Sequence, residues 1–352
     1  MARNTYGFFP TLQRVLRNPD VYITYVIGRF KRSCRYYKSL LLNQNHIEPY
    51  YRQTLELMLS DNKLETSRLW NRLSSDFKME IIGRGLDDFK SGFLNGNYAS
   101  RRPGRPLEIS AAWQYYNTVR AKDSLGILDR HPEPGIGKPC TVNLNGREIS
   151  WDYIQAIDEF YNMIGTFNIQ LTDELIICEI GGGYGRLAQL FLRLMPRCHY
   201  VLVDIPTSLI LAYYYLSKVF PDDIQAYETT RSAPEYTREI LTAKRLTFLL
   251  PHQLPRVQKR VVDLFINIDS FQELTPPIVK DYFRLIQELG KNYLYLNNSN
   301  QPANNFIDDE DFRLADYPAK IGMKVIKTQT SVPYLNMIEQ FITLNHPAQG
   351  GQ

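Results

Sequence analysis

The chain has 352 residues, 44% hydrophobic and 22% charged, with a formal net charge of +4. That is enough apolar material for one or two packed cores, and too little net positive charge to point to nucleic acid. Four scattered cysteines (Cys34, Cys140, Cys178, Cys198) form no CxxC pair, which argues against a zinc site or a disulfide framework.

Taken in chain order, the first elements read as helices with basic and aromatic faces. Between Thr11 and Leu40, Arg14, Arg17, Arg29, Lys31, Arg32, Arg35 and Lys38 face a single acid, Asp20, with aromatic and aliphatic residues interleaved. Such a stretch suits either a solvated helix face or a contact with an anionic membrane surface. Helices are predicted over His46–Leu59 and Thr66–Ile82, where Leu69, Trp70, Leu73, Phe77 and Ile81 recur at helical spacing. From Asn95 to Gly146 the Gly- and Pro-rich sequence predicts an irregular connector. Ser150 is the expected N-cap of a helix over Trp151–Ile164, with Asp152 in its first turn.

After Leu175 the rhythm changes to apolar strand-like runs separated by amphipathic helices: LIICEI, RLAQLFLRLM, HYVLVD, PTSLILAYYYLSKVF, RLTFLL, VDLFINI and NYLYLN. A helix over Pro276–Leu289, capped by Thr275, separates the last two. Continuously apolar strands alternating with helices predict a mostly parallel sheet covered on both faces. Two final strands, GMKVIKTQTS and MIEQFITL, fit an antiparallel finish. Residues 1–148 are therefore read as a helical, loop-rich region, 149–345 as an α/β domain, and 346–352 as a disordered tail. The opening lacks an apolar leader and no run is long enough to cross a bilayer, so a cytoplasmic protein is expected, with peripheral membrane contact through residues 11–40 left open.

The most informative stretch is ICEIGGGYGRLAQLF. A buried strand ends at Glu179-Ile180, Gly181, Gly183 and Gly185 carry a turn with Tyr184 inside it, and a helix opens near Arg186. Glycines let the backbone turn tightly and admit a ligand without a Cβ in the way, and the new helix presents its amides to that ligand. The next strand ends in Asp204, a carboxylate placed to accept ribose hydroxyls. Gly183-Tyr184-Gly185-Arg186-Leu187-Ala188 also fits the G-x-G-x-x-A pattern of NAD binders. Glu179 separates the two readings: a carboxylate gains nothing from a pyrophosphate but attracts a cationic ammonium or sulfonium.

The pattern E-x-G-x-G-x-G followed by a strand-end acid resembles the class I S-adenosylmethionine (SAM) methyltransferases. The resemblance extends to the bacterial sugar O-methyltransferase family through SRLWNRLSSDFKMEIIGRGLDDFKSG, GKPCTVNLNGREISWDYI, EIGGGYGRLAQL, VDIPTSLILAYYYLSKVFP and NIDSFQEL, spanning Ser67 to Leu274. It implies a Rossmann-like fold with an N-terminal helical region, SAM as methyl donor, and transfer to a sugar hydroxyl of a free, nucleotide-linked or lipid-linked glycan. On this basis Glu179, Gly181, Gly183, Tyr184 and Gly185 would form the donor loop and Asp204 the ribose acid. Ile205 and Leu250 would flank the adenine, and Asp269 would border the donor as well.

A sugar hydroxyl needs a base within hydrogen-bond reach. Catalytic groups of an open parallel sheet gather at the carboxyl ends of its strands. That rule selects Asp269, His252 and Glu273 as base candidates. It selects Arg186, Ser270, Gln272 and Asn297 as acceptor contacts, Arg186 as a grip for a phosphate. Each has a plainer role available, as a helix cap, a turn residue or a solvated acid. Several acids near one site leave room for a divalent metal, which no ligand spacing supports. A catalytically idle scaffold and an NAD-dependent oxidoreductase are the competing functions, and homo-oligomerisation is left open.

Overall fold

The computed structural model describes residues 47–63, 77–78, 81–91, 106–300, 314, 317, 322–332 and 336–345. The basic segment 11–40, most of the helix expected over 66–82 and the tail 346–352 lie outside them. Helix α1 spans Pro49–Asp61, α2 Pro106–Lys122 and the short α3 Ile127–Arg130. The hairpin β1 (Thr141–Leu144) and β2 (Arg147–Ser150) leads directly into α4 (Trp151–Phe167). Then follow β3 (Ile176–Ile180), α5 (Arg186–Leu194), β4 (His199–Val203), α6 (Pro206–Val219), α7 (Tyr227–Thr230) and α8 (Arg238–Thr242). The chain continues through β5 (Leu246–Leu249), β6 (Val262–Ile268), α9 (Pro276–Leu289), β7 (Gly290–Ser299), β8 (Met323–Thr330) and β9 (Met337–Leu344).

Seven strands form one sheet in the order β5-β4-β3-β6-β7-β9-β8. The first five are mutually parallel, and β9 inserts antiparallel between β7 and β8. The chain enters at β3 in the middle, steps outward to β5, and returns to β6 on the other flank of β3. The switch point of the topology therefore lies between β3 and β6, where ligands bind in open α/β sheets. Side-chain alternation divides the core into two faces. Ile177, Tyr200, Leu202, Ile266, Tyr295 and Phe341 pack beneath α1, α2, α4, α5 and α6. Cys178, Val201, Phe265, Leu294 and Ile342 pack on the opposite face beneath α8 and α9. This is the expected Rossmann-like architecture, a mostly parallel α/β sheet with helices on both faces.

Two local readings need correction. The stretch expected to be an irregular connector contains the 17-residue helix α2 and the strand β1, which pairs with β2 just beyond it. Ala112, Tyr115, Tyr116 and Val119 are all buried, so a helical stripe is present, flanked by the Gly and Pro residues that obscured it. Thr275 precedes α9, yet its hydroxyl makes no capping bond. Pro276 and Pro277 occupy the first two helical positions, which removes one of the two N–H groups an N-cap oxygen can accept; the other, on Ile278, is not used.

Ser150 does cap α4, accepting a hydrogen bond from the Tyr153 N–H at 3.2 Å. Its own N–H donates to Glu133 Oε2 at 2.9 Å, so one residue joins hairpin, connector and helix. Ser150→Ala is expected to lower unfolding free energy by about 1 kcal/mol, the usual cost of losing an N-cap, measured by urea denaturation.

Candidate functional site

At the tip of β3 the backbone turns through Gly181 to Gly185, three of whose glycines adopt positive φ. At two of them the reason is steric as well as conformational. A Cβ on Gly181 would fall on Ser270, and one on Gly185 would lie 2.6 Å from Leu216 Cδ1. The Gly181 N–H donates to Val203 O at 2.8 Å, fixing the turn to the end of β4. The Gly183 N–H then donates to Asp204 Oδ2 at 2.8 Å and the Ile205 N–H to Asp204 Oδ1 at 2.7 Å. Asp204 thus faces the glycine turn across the strand tips. Burial drives its carboxyl up to about 7, against the opposing pull of those backbone N–H groups.

Glu179 lies on the same face of the sheet and is buried beneath the turn, accepting a hydrogen bond from the Tyr200 hydroxyl at 2.8 Å. Burial raises it to about 8, with the Tyr200 bond and the Arg186 charge working the other way. An acid this deep with one neutral partner is under-compensated, and a cation arriving above the turn would relieve it.

Other expected residues take different roles. Tyr184 belongs to the turn through its backbone, while its ring is buried edge-on against Phe89 and Tyr215, at 5.4 Å between centroids in both cases. Lys90, itself buried, sits 4.4 Å from that ring and 4.0 Å from the Tyr215 ring, with Glu133 Oε1 at 3.6 Å. Arg186 does not offer its guanidinium to a phosphate. Both its terminal nitrogens bind the buried Glu159 of α4, at 2.7 and 3.1 Å, because a buried carboxylate without a cation would be far costlier. Asn297 is equally inward, its Nδ2 donating to Glu159 Oε1 at 3.2 Å and to Ser331 Oγ at 3.3 Å. Its Oδ1 is buried without a partner.

The loop after β6 carries the remaining candidates. Asp269 is solvent-exposed with φ +53°, a conformation held by its N–H donating to Asn297 O at 2.9 Å. Its carboxylate accepts from Gln272 Nε2, while Gln272 Oε1 accepts from the Ser299 N–H, so Gln272 braces the loop against β7. Ser270 lies under Gly181 with its hydroxyl taken up by Asn267 Nδ2 at 2.7 Å, a packing role and not a polar hand held out to an acceptor. Glu273 closes the short turn Phe271–Glu273, its N–H donating to Ser270 O. Leu250 and His252 follow β5 at the sheet edge, Leu250 with a buried side chain and a backbone N–H bound by Gln253 Oε1. His252 is kept below its ordinary value by burial and by Arg256 and Lys63. Three strand spacings separate β5 from β6, about 14 Å, which removes His252 from the group around Asp269.

Sequence reasoning missed three residues that organise the site. Asn267 interrupts the apolar run VDLFINI and is fully buried; Glu159 interrupts the apolar stripe of α4 beside Ala156, Phe160 and Met163. Glu339 sits in the buried alternation Met337, Glu339, Phe341 of β9, directly opposite Asn297 in register. A polar side chain on a buried face was the available signal in each case. Glu339 is raised to about 7 by burial and by Glu159, and it accepts from Asn162 Nδ2 at 3.0 Å and Gln329 Nε2 at 3.1 Å. Among the described residues no group of three or more His, Cys, Asp or Glu side chains is arranged to hold a metal ion. Among them, too, no helix is long and apolar enough to cross a membrane.

No protein-family model matches the chain, and no curated protein matches it. Solved structures similar to it include magnesium protoporphyrin IX methyltransferase from Synechocystis with bound SAM. That match has 14% identity and a TM-score of 0.41, covering 66% of this chain and 97% of that one. A SAM-dependent methyltransferase from Aquifex aeolicus is similar at 12% identity and a TM-score of 0.36, covering 65% of this chain and 98% of that one.

Gly181→Ala forces a Cβ onto Ser270 at φ +76°. It is expected to lower unfolding free energy by about 1–2 kcal/mol from the left-handed backbone alone. Chemical denaturation checks this, and Gly181→Ala combined with Ser270→Gly is expected to recover only the steric part.

Proposed function

We propose that this chain is a SAM-dependent O-methyltransferase acting on a sugar hydroxyl of a glycan or its precursor. The observation that carries the reading is the Asp204 carboxylate facing a Cβ-free turn, with Glu179 buried beneath it. Gly181, Gly183 and Gly185 give room for the donor's backbone-close approach. Asp204 accepts from Gly183, Ile205 and Ser208 and keeps a lone pair for a ribose hydroxyl. Glu179 gains from ionising beside an arriving ammonium or sulfonium and gains nothing beside a pyrophosphate, which speaks against NAD. When bound, SAM supplies a methyl group already activated on sulfur.

The chain's task is then to hold the acceptor in line, exclude water and take a proton. Asp269 is the base we assign, an exposed carboxylate at the tip of β6 whose orientation is set by Gln272 and by a backbone bond to β7. The acceptor class is supported by the absence of an offered cation among the described residues here: Arg186 is committed to Glu159 and Lys122 to Asp158. Neutral hydroxyls need no such partner. The sugar itself rests on the sequence resemblance.

Calorimetric titration of the purified protein with S-adenosylhomocysteine (SAH), alongside NAD, is the direct test. Micromolar binding of SAH, weakened at least about tenfold in Asp204→Ala and absent for NAD, is expected; binding of NAD instead overturns the assignment. Turnover by Asp269→Asn, measured with labelled SAM on a sugar acceptor, is expected to fall by about a hundredfold or more with SAH affinity kept.

The buried acids give binding a pH dependence of definite sign. A ribose hydroxyl stabilises ionised Asp204, raised by burial to about 7, and the donor ammonium stabilises ionised Glu179, raised to about 8. Both carboxyls therefore fall on binding, so protons are released and affinity rises as pH increases from 6 to 8. At pH 7, titrations in buffers of differing ionisation enthalpy should report proton release. Proton uptake would contradict the arrangement.

A further inference from the structure

The loops after β3 and β6 part company at the switch point, one leading to α5 on one face of the sheet and the other to α9 on the opposite face. Something must hold the two tips in register, because no hydrogen-bond ladder continues past Ile180 and Asn267. Asn267 does so with its whole side-chain amide. Its Nδ2 donates to Ile180 O at 2.8 Å and to Ser270 Oγ at 2.7 Å. Its Oδ1 accepts from the Phe271 N–H at 3.3 Å and from Asn298 Nδ2 at 3.0 Å. Two donors and two acceptors are the full ordinary capacity of an amide, and the residue is completely buried. Ser270, held by this bond, is the atom group against which Gly181 packs.

Sheet order says which end of a donor this brace serves. Asp204 lies on the β4 flank of β3, so the ribose is taken there. A ligand crossing the tip of β3 then extends its other end toward β6, over Gly181, Ser270 and Asn267. We propose that Asn267 is a positioning residue that sets this second end of the cleft, and so gives the site its selectivity for the donor's amino-acid portion over a bare nucleoside. Asn267 touches no ligand in this account; it acts through Ile180, Gly181 and Ser270. The inference rests on the SAM reading above.

The test compares two probes that share the adenosine and the sulfur but differ in the amino-acid end: SAH and 5′-methylthioadenosine. Both are titrated calorimetrically into the full chain and into Asn267→Ala, Ser270→Ala and Asp204→Ala. Asn267→Ala is expected to weaken SAH about tenfold while leaving methylthioadenosine within about twofold, and Asp204→Ala to weaken both. A merely structural role would leave the ratio of the two affinities unmoved. Equal loss of both ligands in Asn267→Ala, or no change in either, overturns the proposal. Should Asn267→Ala fail to give a folded circular dichroism spectrum, Ser270→Ala decides by the same ratio, since it deletes only one end of the brace. Failure of the unsubstituted chain to bind either probe would refute the donor assignment itself, and is read before any variant.

Discussion

Everything at the strand tips depends on a glycine turn being held between two polar side chains. On one flank Asp204 accepts the Gly183 N–H; on the other Asn267 ties Ile180 O and Ser270 together beneath Gly181. The turn has no Cβ on the positions where these neighbours close in, so it can be gripped without being filled. Backbone amides left pointing outward at the start of α5 are then aimed by the fold, not by the turn alone.

The same region buries far more charge than a sheet core usually accepts. Glu179, Glu159 and Glu339 all sit on the face covered by α4, with Arg186 bound to Glu159 as its counter-ion. Isolated buried carboxylates are expensive, so each has been given partners: Tyr200 for Glu179, Arg186 and Asn297 for Glu159, Asn162 and Gln329 for Glu339. The compensation is incomplete at Glu179 and Glu339, both of which are raised toward neutrality by burial.

The N-terminal elements take part in the same packing. Tyr51, Leu55 and Met58 of α1 and Tyr115, Tyr116 and Val119 of α2 join the apolar cluster that covers the sheet. Lys90 carries the connection to the turn, buried between Glu133 and the rings of Tyr184 and Tyr215. Tyr184 is therefore conscripted into the interior, which is why its position within the glycine motif did not reveal its role.

The sequence by itself determined the strands, the glycine turn, the Ser150 cap, the antiparallel finish and the placing of Glu179 and Asp204 at strand ends. These follow from local rules: continuously apolar runs, the need for positive φ, a capping hydroxyl before a helix, and acids at strand ends. Only the tertiary structure decided what each polar side chain meets. Arg186 looked free because its partner Glu159 lies 27 residues earlier on another helix. Ser270 and Asn297 looked available for an acceptor because the atoms that use them belong to other strands and loops. His252 and Asp269 looked equivalent because chain order does not state that β5 lies three strands from β6. Hydrogen bonds and charges act over a few ångströms in space, and separation along the chain carries almost no information about them.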